Sequence, residues 1–264
     1  MPIFKKEDIE IYYIKEGAGE PLVLVSGLGS KMSWIFQVPF FKDKMMVITL
    51  HNRGTGKSSR PNYPYTMDMF VDDIKDLLDF LNIKQKIHLA GISMGGMISQ
   101  NFVLKYPKLV KSLILCATTS KHDPTPLIDQ IKLNTDLEER FKGRLPLLYS
   151  RDFRKKLKED KELFEIIRKS NMEDPTEVQD YINQASAVAI HSTTDLLYKI
   201  RIPTLIMVGT KDRLLPHSPH SEILNEKIPN SEMILFEGLG HGFITEAADK
   251  VNQTMWNFIK EHMD

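Results

Sequence analysis

The pentapeptide Gly91-Ile92-Ser93-Met94-Gly95 constrains this chain more than any other stretch. It follows the short apolar run Ile87 to Ala90 and precedes a helical pattern that continues from Met97 to Tyr106. A serine hydroxyl is a poor nucleophile at neutral pH, so a reactive one must be held exposed beside a base. A sharp turn from strand to helix does this. Crowding at such a turn excludes side chains two residues before and two residues after the serine, which accounts for glycine at 91 and 95. The helix that follows aims its unpaired N–H groups at negative charge forming beside the serine.

The surrounding pattern alternates strand and helix. Ile9 to Ile14 is rich in β-branched and aromatic residues and is expected to form an edge strand ending at Gly17-Ala18-Gly19. Pro21 to Val25, Met45 to Leu50, Ile87 to Ala90 and Leu109 to Cys116 are apolar runs of strand length, as strands covered on both faces of a parallel sheet require. Between them, Phe70, Ile74, Leu77, Leu78 and Leu81 recur at helical spacing within Thr66 to Leu81. Strand runs return at Pro203 to Val208 and Glu232 to Phe236, and a closing helix is expected over Ala247 to His262. The expected fold class is α/β, with a mostly parallel central sheet flanked by helices.

From Lys121 to Lys199 the strand-like runs stop and charge becomes dense. Phe153, Leu157, Phe164 and Ile167 form one apolar stripe, and Val178, Tyr181, Ile182 and Ala185 form another. This reads as a helical insertion over the C-terminal edge of the sheet, where open α/β folds bind ligands. The expected organisation is a core over 1–120, a helical cap over 121–199 and the rest of the core over 200–264.

Several function classes are excluded or disfavoured. Lys plus Arg (35) balances Asp plus Glu (35), so nothing points to nucleic acid or to an anionic membrane surface. No apolar run approaches the ~18 residues of a membrane span, and the N-terminus has no signal-peptide pattern. Cys116 is the sole cysteine, so an intramolecular disulfide and a cysteine zinc site are both impossible, and a cytoplasmic location is expected. Two phosphate-loop patterns fail, because His51 and Met32 stand where glycines are needed, and no cofactor is implied. His217 and His220 lie three apart, but no carboxylate pattern completes a metal site, so they read as solvent-facing. Lys155, Lys156 and Lys158 read as the wet face of a helix, and Cys116 as buried and inert.

A serine nucleophile needs a base, and the base needs an acid to fix its tautomer. His241 lies in the glycine-bracketed loop after the last strand run, and Asp212 occupies the equivalent loop one strand earlier. Each signal alone is common. Strand, Gly-x-Ser-x-Gly, helix, then strand-loop-Asp and strand-loop-His in that order is much rarer.

On these residues the chain resembles the α/β-hydrolase fold superfamily over nearly its whole length, close in pattern to small esterases and 3-oxoadipate enol-lactonases. The motifs are Gly27-Leu28-Gly29 with Trp34, Arg53-Gly54-Thr55-Gly56-Lys57-Ser58, the segment around Ser93, Gly209 to Asp212, and Gly240-His241-Gly242-Phe243 with Glu246 downstream. The resemblance implies Ser93 as nucleophile, Asp212 as acid and His241 as base, with the N–H groups of Leu28 and Met94 as the oxyanion hole. Two positions depart from the pattern: Ser26 precedes Gly27 where many relatives have histidine, which leans toward the enol-lactonases, and His51 stands where many have aspartate. His51 reads as a structural partner of a nearby loop, and Arg53 as half of a loop salt bridge. The implied activity is cleavage of small-molecule carboxylic esters. Enol-lactones, carbon–carbon bonds of β-diketones and perhydrolysis are alternatives within the fold, and a non-catalytic receptor is one outside enzymes. Monomer and homodimer are both open.

Overall fold

A computed structural model describes residues 2–7, 9–133 and 136–263. Its centre is an eight-stranded sheet in the order β1-β2-β4-β3-β5-β6-β7-β8. The strands are β1 (Ile3–Lys6), β2 (Ile9–Glu16), β3 (Pro21–Val25), β4 (Met46–Leu50), β5 (Ile87–Ile92), β6 (Val110–Cys116), β7 (Thr204–Gly209) and β8 (Ser231–Phe236). β2 runs antiparallel to both β1 and β4, and the remaining pairs are parallel. Every residue of β3, β5 and β7 is buried, as a strand covered on both faces demands.

The expectation that Ile9 to Ile14 lies at the sheet edge is corrected. β2 is flanked on both sides, and β1 takes the edge. β1 is only IFKK, too short and too charged to read as a strand, and its lysines are the kind of residue that keeps an edge from pairing with another chain.

The helices are α1 (Val38–Phe41), α2 (Met67–Phe80), α3 (Met94–Lys105), α4 (Thr125–Leu133), α5 (Leu137–Leu148), α6 (Arg151–Glu159), α7 (Lys161–Met172), α8 (Val178–Ile190), α9 (His217–Lys227), α10 (Phe243–Glu246) and α11 (Ala248–Lys260), of which α2, α3 and α9 share one core cluster with the sheet and α1, α10 and α11 the other. α2 starts where the Thr66 side chain accepts from Met69 N–H, satisfying one donor of the first turn. Its buried face, including Phe70, Ile74, Leu77 and Leu78, joins one core cluster. Val251, Met255, Phe258 and Ile259 of α11 join a second.

α4 to α8 all lie between β6 and β7, and a single bridge between Lys121 and Ser192 closes the base of this excursion. Phe153, Leu157 and Ile167 are buried together with Phe141, and Phe164 packs against them. The stripe from Phe153 to Ile167 is split between α6 and α7, because the chain breaks at Asp160, whose side chain caps α7 by accepting from Leu163 N–H at 2.9 Å. Lys155, Lys156 and Lys158 are exposed. No helix among the described residues is long and apolar enough to cross a membrane.

Candidate active site

β5 leads directly into Ser93, where the backbone turns to φ 55°, ψ −122°, and α3 begins at the next residue. A Cβ at Gly91 would lie 2.2 Å from the Gly95 carbonyl oxygen, and one at Gly95 would lie 2.2 Å from that of Val25. Only glycine lets the turn close this tightly. The turn is pinned on both sides of Ser93: its N–H donates to the Cys116 carbonyl at 2.9 Å, and its own carbonyl accepts from the Thr118 hydroxyl at 2.7 Å. Ser93 is thereby held above the C-terminal ends of β5 and β6.

Asp212 and His241 come from the loops after β7 and β8, and both are buried. Asp212 Oδ1 accepts from the N–H groups of Leu214 and Leu215, each at 2.8 Å. Its other oxygen, Oδ2, accepts from His241 Nδ1 at 2.7 Å. A carboxylate can only accept, so in the neutral imidazole this bond selects the tautomer with the proton on Nδ1 and the lone pair on Nε2. The histidine loop has its own anchor in Glu246, whose carboxylate accepts from Gly240 N–H at 2.8 Å and from Ser150 N–H at 3.2 Å. Burial pushes the Glu246 carboxyl above its ordinary pKa. Gly242 N–H also donates to the Leu148 carbonyl at 2.7 Å, so the histidine loop is tied to the end of α5.

Ser93 and His241 line one cleft of about 120 Å³, together with Gly27 and Leu28 from below and Arg144, Leu148 and Ile167 from the helical excursion. Met94 is the first residue of α3, so its N–H has no acceptor within the helix. Leu28 N–H makes no protein hydrogen bond among the described residues.

The loop carrying Leu28 is held by side chains that sequence reasoning missed. Gln184, fully buried on α8, accepts from Gly29 N–H at 2.8 Å and donates to the Arg53 carbonyl at 2.8 Å. Thr176 donates to the Gly29 carbonyl at 2.9 Å. Gly29 has φ +65°, and a Cβ there would lie 1.8 Å from the Tyr181 ring. The glycine after Leu28 therefore serves a turn and the close approach of α8.

Other singled-out residues fall into place. Arg53 makes a buried two-pronged pair with Asp73, at 2.7 and 2.6 Å, so it is a structural ion pair and not a substrate contact. His51 accepts from Lys57 N–H at 3.0 Å and packs on Tyr12, and burial lowers its pKa to about 4. Ser26 accepts from Ser33 N–H at 3.0 Å. Cys116 is fully buried, which raises its thiol pKa and leaves it inert. The solvent-facing reading fails for His220: its ring bonds the Thr119 hydroxyl at 3.0 Å and stands 6.3 Å from His122. Thr119 follows β6 and carries no local signal that a helix a hundred residues away will meet it. Among the described residues, no group of three or more His, Cys, Asp or Glu side chains converges as a metal site would.

Comparison with known proteins supports the fold. A family model described as the alpha/beta hydrolase fold matches residues 20–248. The chain is 36% identical to a cis-3-alkyl-4-alkyloxetan-2-one decarboxylase from Shewanella oneidensis over 137 residues, which is 48% of this chain and 42% of that protein, so the match spans less than half of that relative. Among solved structures, the enol-lactonase from Burkholderia xenovorans superposes with a TM-score of 0.88 at 21% identity, covering 98% of this chain and 100% of that one. A thermophilic esterase from Thermogutta terrifontis superposes with a TM-score of 0.82 at 27% identity, covering 97% and 95%.

Proposed function

Because the chain belongs to the alpha/beta hydrolase fold family, we propose that it is a serine hydrolase cleaving carboxylic esters through an acyl-enzyme. The observation that carries this reading is the 2.7 Å bond from His241 Nδ1 to Asp212, which leaves Nε2 basic in the cleft that Ser93 shares. Ser93 Oγ attacks the ester carbonyl carbon while its proton passes to His241 Nε2. The Leu28 and Met94 N–H groups stabilise the oxyanion, an interaction whose loss typically costs a factor of order 10² to 10³ in rate. Collapse of the tetrahedral intermediate breaks the bond to the alcohol, which leaves with the proton from Nε2. Water then repeats the sequence on the acyl-enzyme, and Asp212 stabilises the imidazolium without taking its proton. Residues 121–199 act as a cap that closes the cleft from above.

The test is hydrolysis of p-nitrophenyl esters of graded acyl length by wild type and by Ser93→Ala. Turnover that falls by at least about 10³-fold in the variant is expected. No turnover, or equal turnover in both proteins, overturns the reading. A lactone is an ester closed on itself, and Ser26 before Gly27 favours testing lactones beside the open esters. Stoichiometric labelling of Ser93 without turnover identifies a receptor.

A further inference from the structure

The helical excursion brings Arg144 to the cleft and Arg140 to the chamber beside it, with no carboxylate among the described residues to neutralise either. Arg140 and Arg144 are one turn apart on α5, so they share a face, and like charges in that relation repel. Both guanidinium groups sit over the buried ring of Tyr181, at 5.7 and 5.5 Å from its centroid. Arg144 donates to the Tyr181 hydroxyl, and Arg140 Nη2 donates to the Thr176 carbonyl at 3.1 Å. Arg140 is 6% exposed, and its Nη1 is buried with no hydrogen-bond partner.

The acids nearby are committed elsewhere. Glu138 pairs with Arg168 at 3.0 Å, Glu139 with Lys142 at 3.8 Å, Glu173 with Lys169 at 3.5 Å and Asp174 with Lys31 at 4.0 Å. Among the described residues no carboxylate stands at ion-pair distance from Arg140 or Arg144. A buried guanidinium with one donor group unpaired is costly to keep, unless an anion completes it. Arg144 is the link to the chemistry: it lines the cleft of Ser93 and His241, and it also lines the adjoining chamber that Arg140 walls.

We propose that Arg144, backed by Arg140, is an anion clamp, and that the ester or lactone cleaved at Ser93 carries a second, free carboxylate. The reaction rests on the serine-hydrolase reading above; the clamp does not. A guanidinium binds a carboxylate through two parallel N–H donors, so the clamp selects the substrate's charge and orients its scissile bond.

The experiment compares monomethyl esters of C5 to C8 dicarboxylic acids with the matching dimethyl esters, in wild type, Arg144→Gln and Arg144→Lys. Neutral p-nitrophenyl butyrate, with Ser93→Ala as control, reports separately on the hydrolase reading. Wild type is expected to favour the best monoester over its diester in kcat/KM. That ratio should fall roughly 10- to 100-fold in Arg144→Gln, the scale of one charge-assisted hydrogen bond, and recover in part in Arg144→Lys. A wild type that hydrolyses p-nitrophenyl butyrate but prefers the diester, or a ratio that Arg144→Gln leaves unmoved, overturns the clamp and leaves the serine hydrolase standing. If no ester is hydrolysed, calorimetric titration with adipate decides. Binding that Arg144→Gln abolishes upholds the clamp although the reaction is wrong, and no binding overturns both.

Discussion

Replacing Ser93 with glycine is expected to abolish activity and raise stability together. Ser93 sits at φ 55°, ψ −122°, a region that side-chain-bearing residues seldom occupy. Strain of this kind costs on the order of 1–3 kcal/mol. Glycine removes it but brings a more flexible unfolded chain, a penalty of roughly 0.5–1 kcal/mol against alanine. Taking the middle of each range leaves Ser93→Gly about 1 kcal/mol more stable than Ser93→Ala. Both variants lose the hydroxyl, so the comparison isolates the Cβ in the strained turn. At roughly 2–4 °C per kcal/mol for a chain of this size, glycine should melt about 2–4 °C above alanine. Urea unfolding and thermal melts of the two inactive variants supply the measurement. A glycine variant no more stable than the alanine variant refutes the claim that the turn is strained for the sake of the serine.

Three further outcomes follow from the buried polar contacts. Gln184→Ala leaves Gly29 N–H and the Arg53 carbonyl without their 2.8 Å partner, so it should lower kcat by about 10-fold or more with KM little changed, as expected when an oxyanion donor is loosened; a KM effect alone counts against the positioning role. Arg53→Ala strands the buried Asp73 carboxylate, whose pKa burial already pushes up, and should cost about 3–5 kcal/mol in urea unfolding, with Arg53→Ala/Asp73→Asn recovering part of it. His51 and His191 are both lowered to about 4 by burial, so from pH 6.5 down toward 4 the unfolded chain takes up protons the folded chain refuses. Their stabilising contribution is full above about pH 6.5 and is lost on acidification, by about 3 kcal/mol per histidine, and His51→Gln should remove about 3 kcal/mol, half of the combined loss, from the stability–pH curve.

What the sequence makes legible depends on how local the signal is. β3, β5 and β7 are buried on both faces, so each leaves an uninterrupted apolar run that the chain displays by itself. Ser93, Asp212 and His241 follow strand ends, and glycine brackets mark two of the three loops, so their convergence can be read from order alone. The edge strand β1 fails the same test because its partner supplies most of its pattern: two lysines in four residues are legible as a strand only beside β2. The two apolar stripes of the excursion were readable as helices, but the break at Asp160 rests on a cap, which costs the pattern no apolar residue.

The residues that the helical excursion brings to the cleft and its loops lie beyond this reach for a physical reason. A helix offers polar side chains on every exposed face, and Arg144 looks the same in sequence whether it faces bulk water or the cleft. Gln184 gains its meaning from Gly29, 155 residues away, and Tyr181 from an approach that only the missing Cβ of Gly29 permits. The sheet fixes where the reacting groups stand, because each lies within a few residues of a strand end. The helices between β6 and β7 add no strand to that sheet and reach the cleft through side chains on α5 and α8, so the face they present bears on the pocket rather than on the sheet. The clamp proposed on α5 thus places the choice of substrate charge in the excursion and leaves the proposed reaction at Ser93 to the sheet.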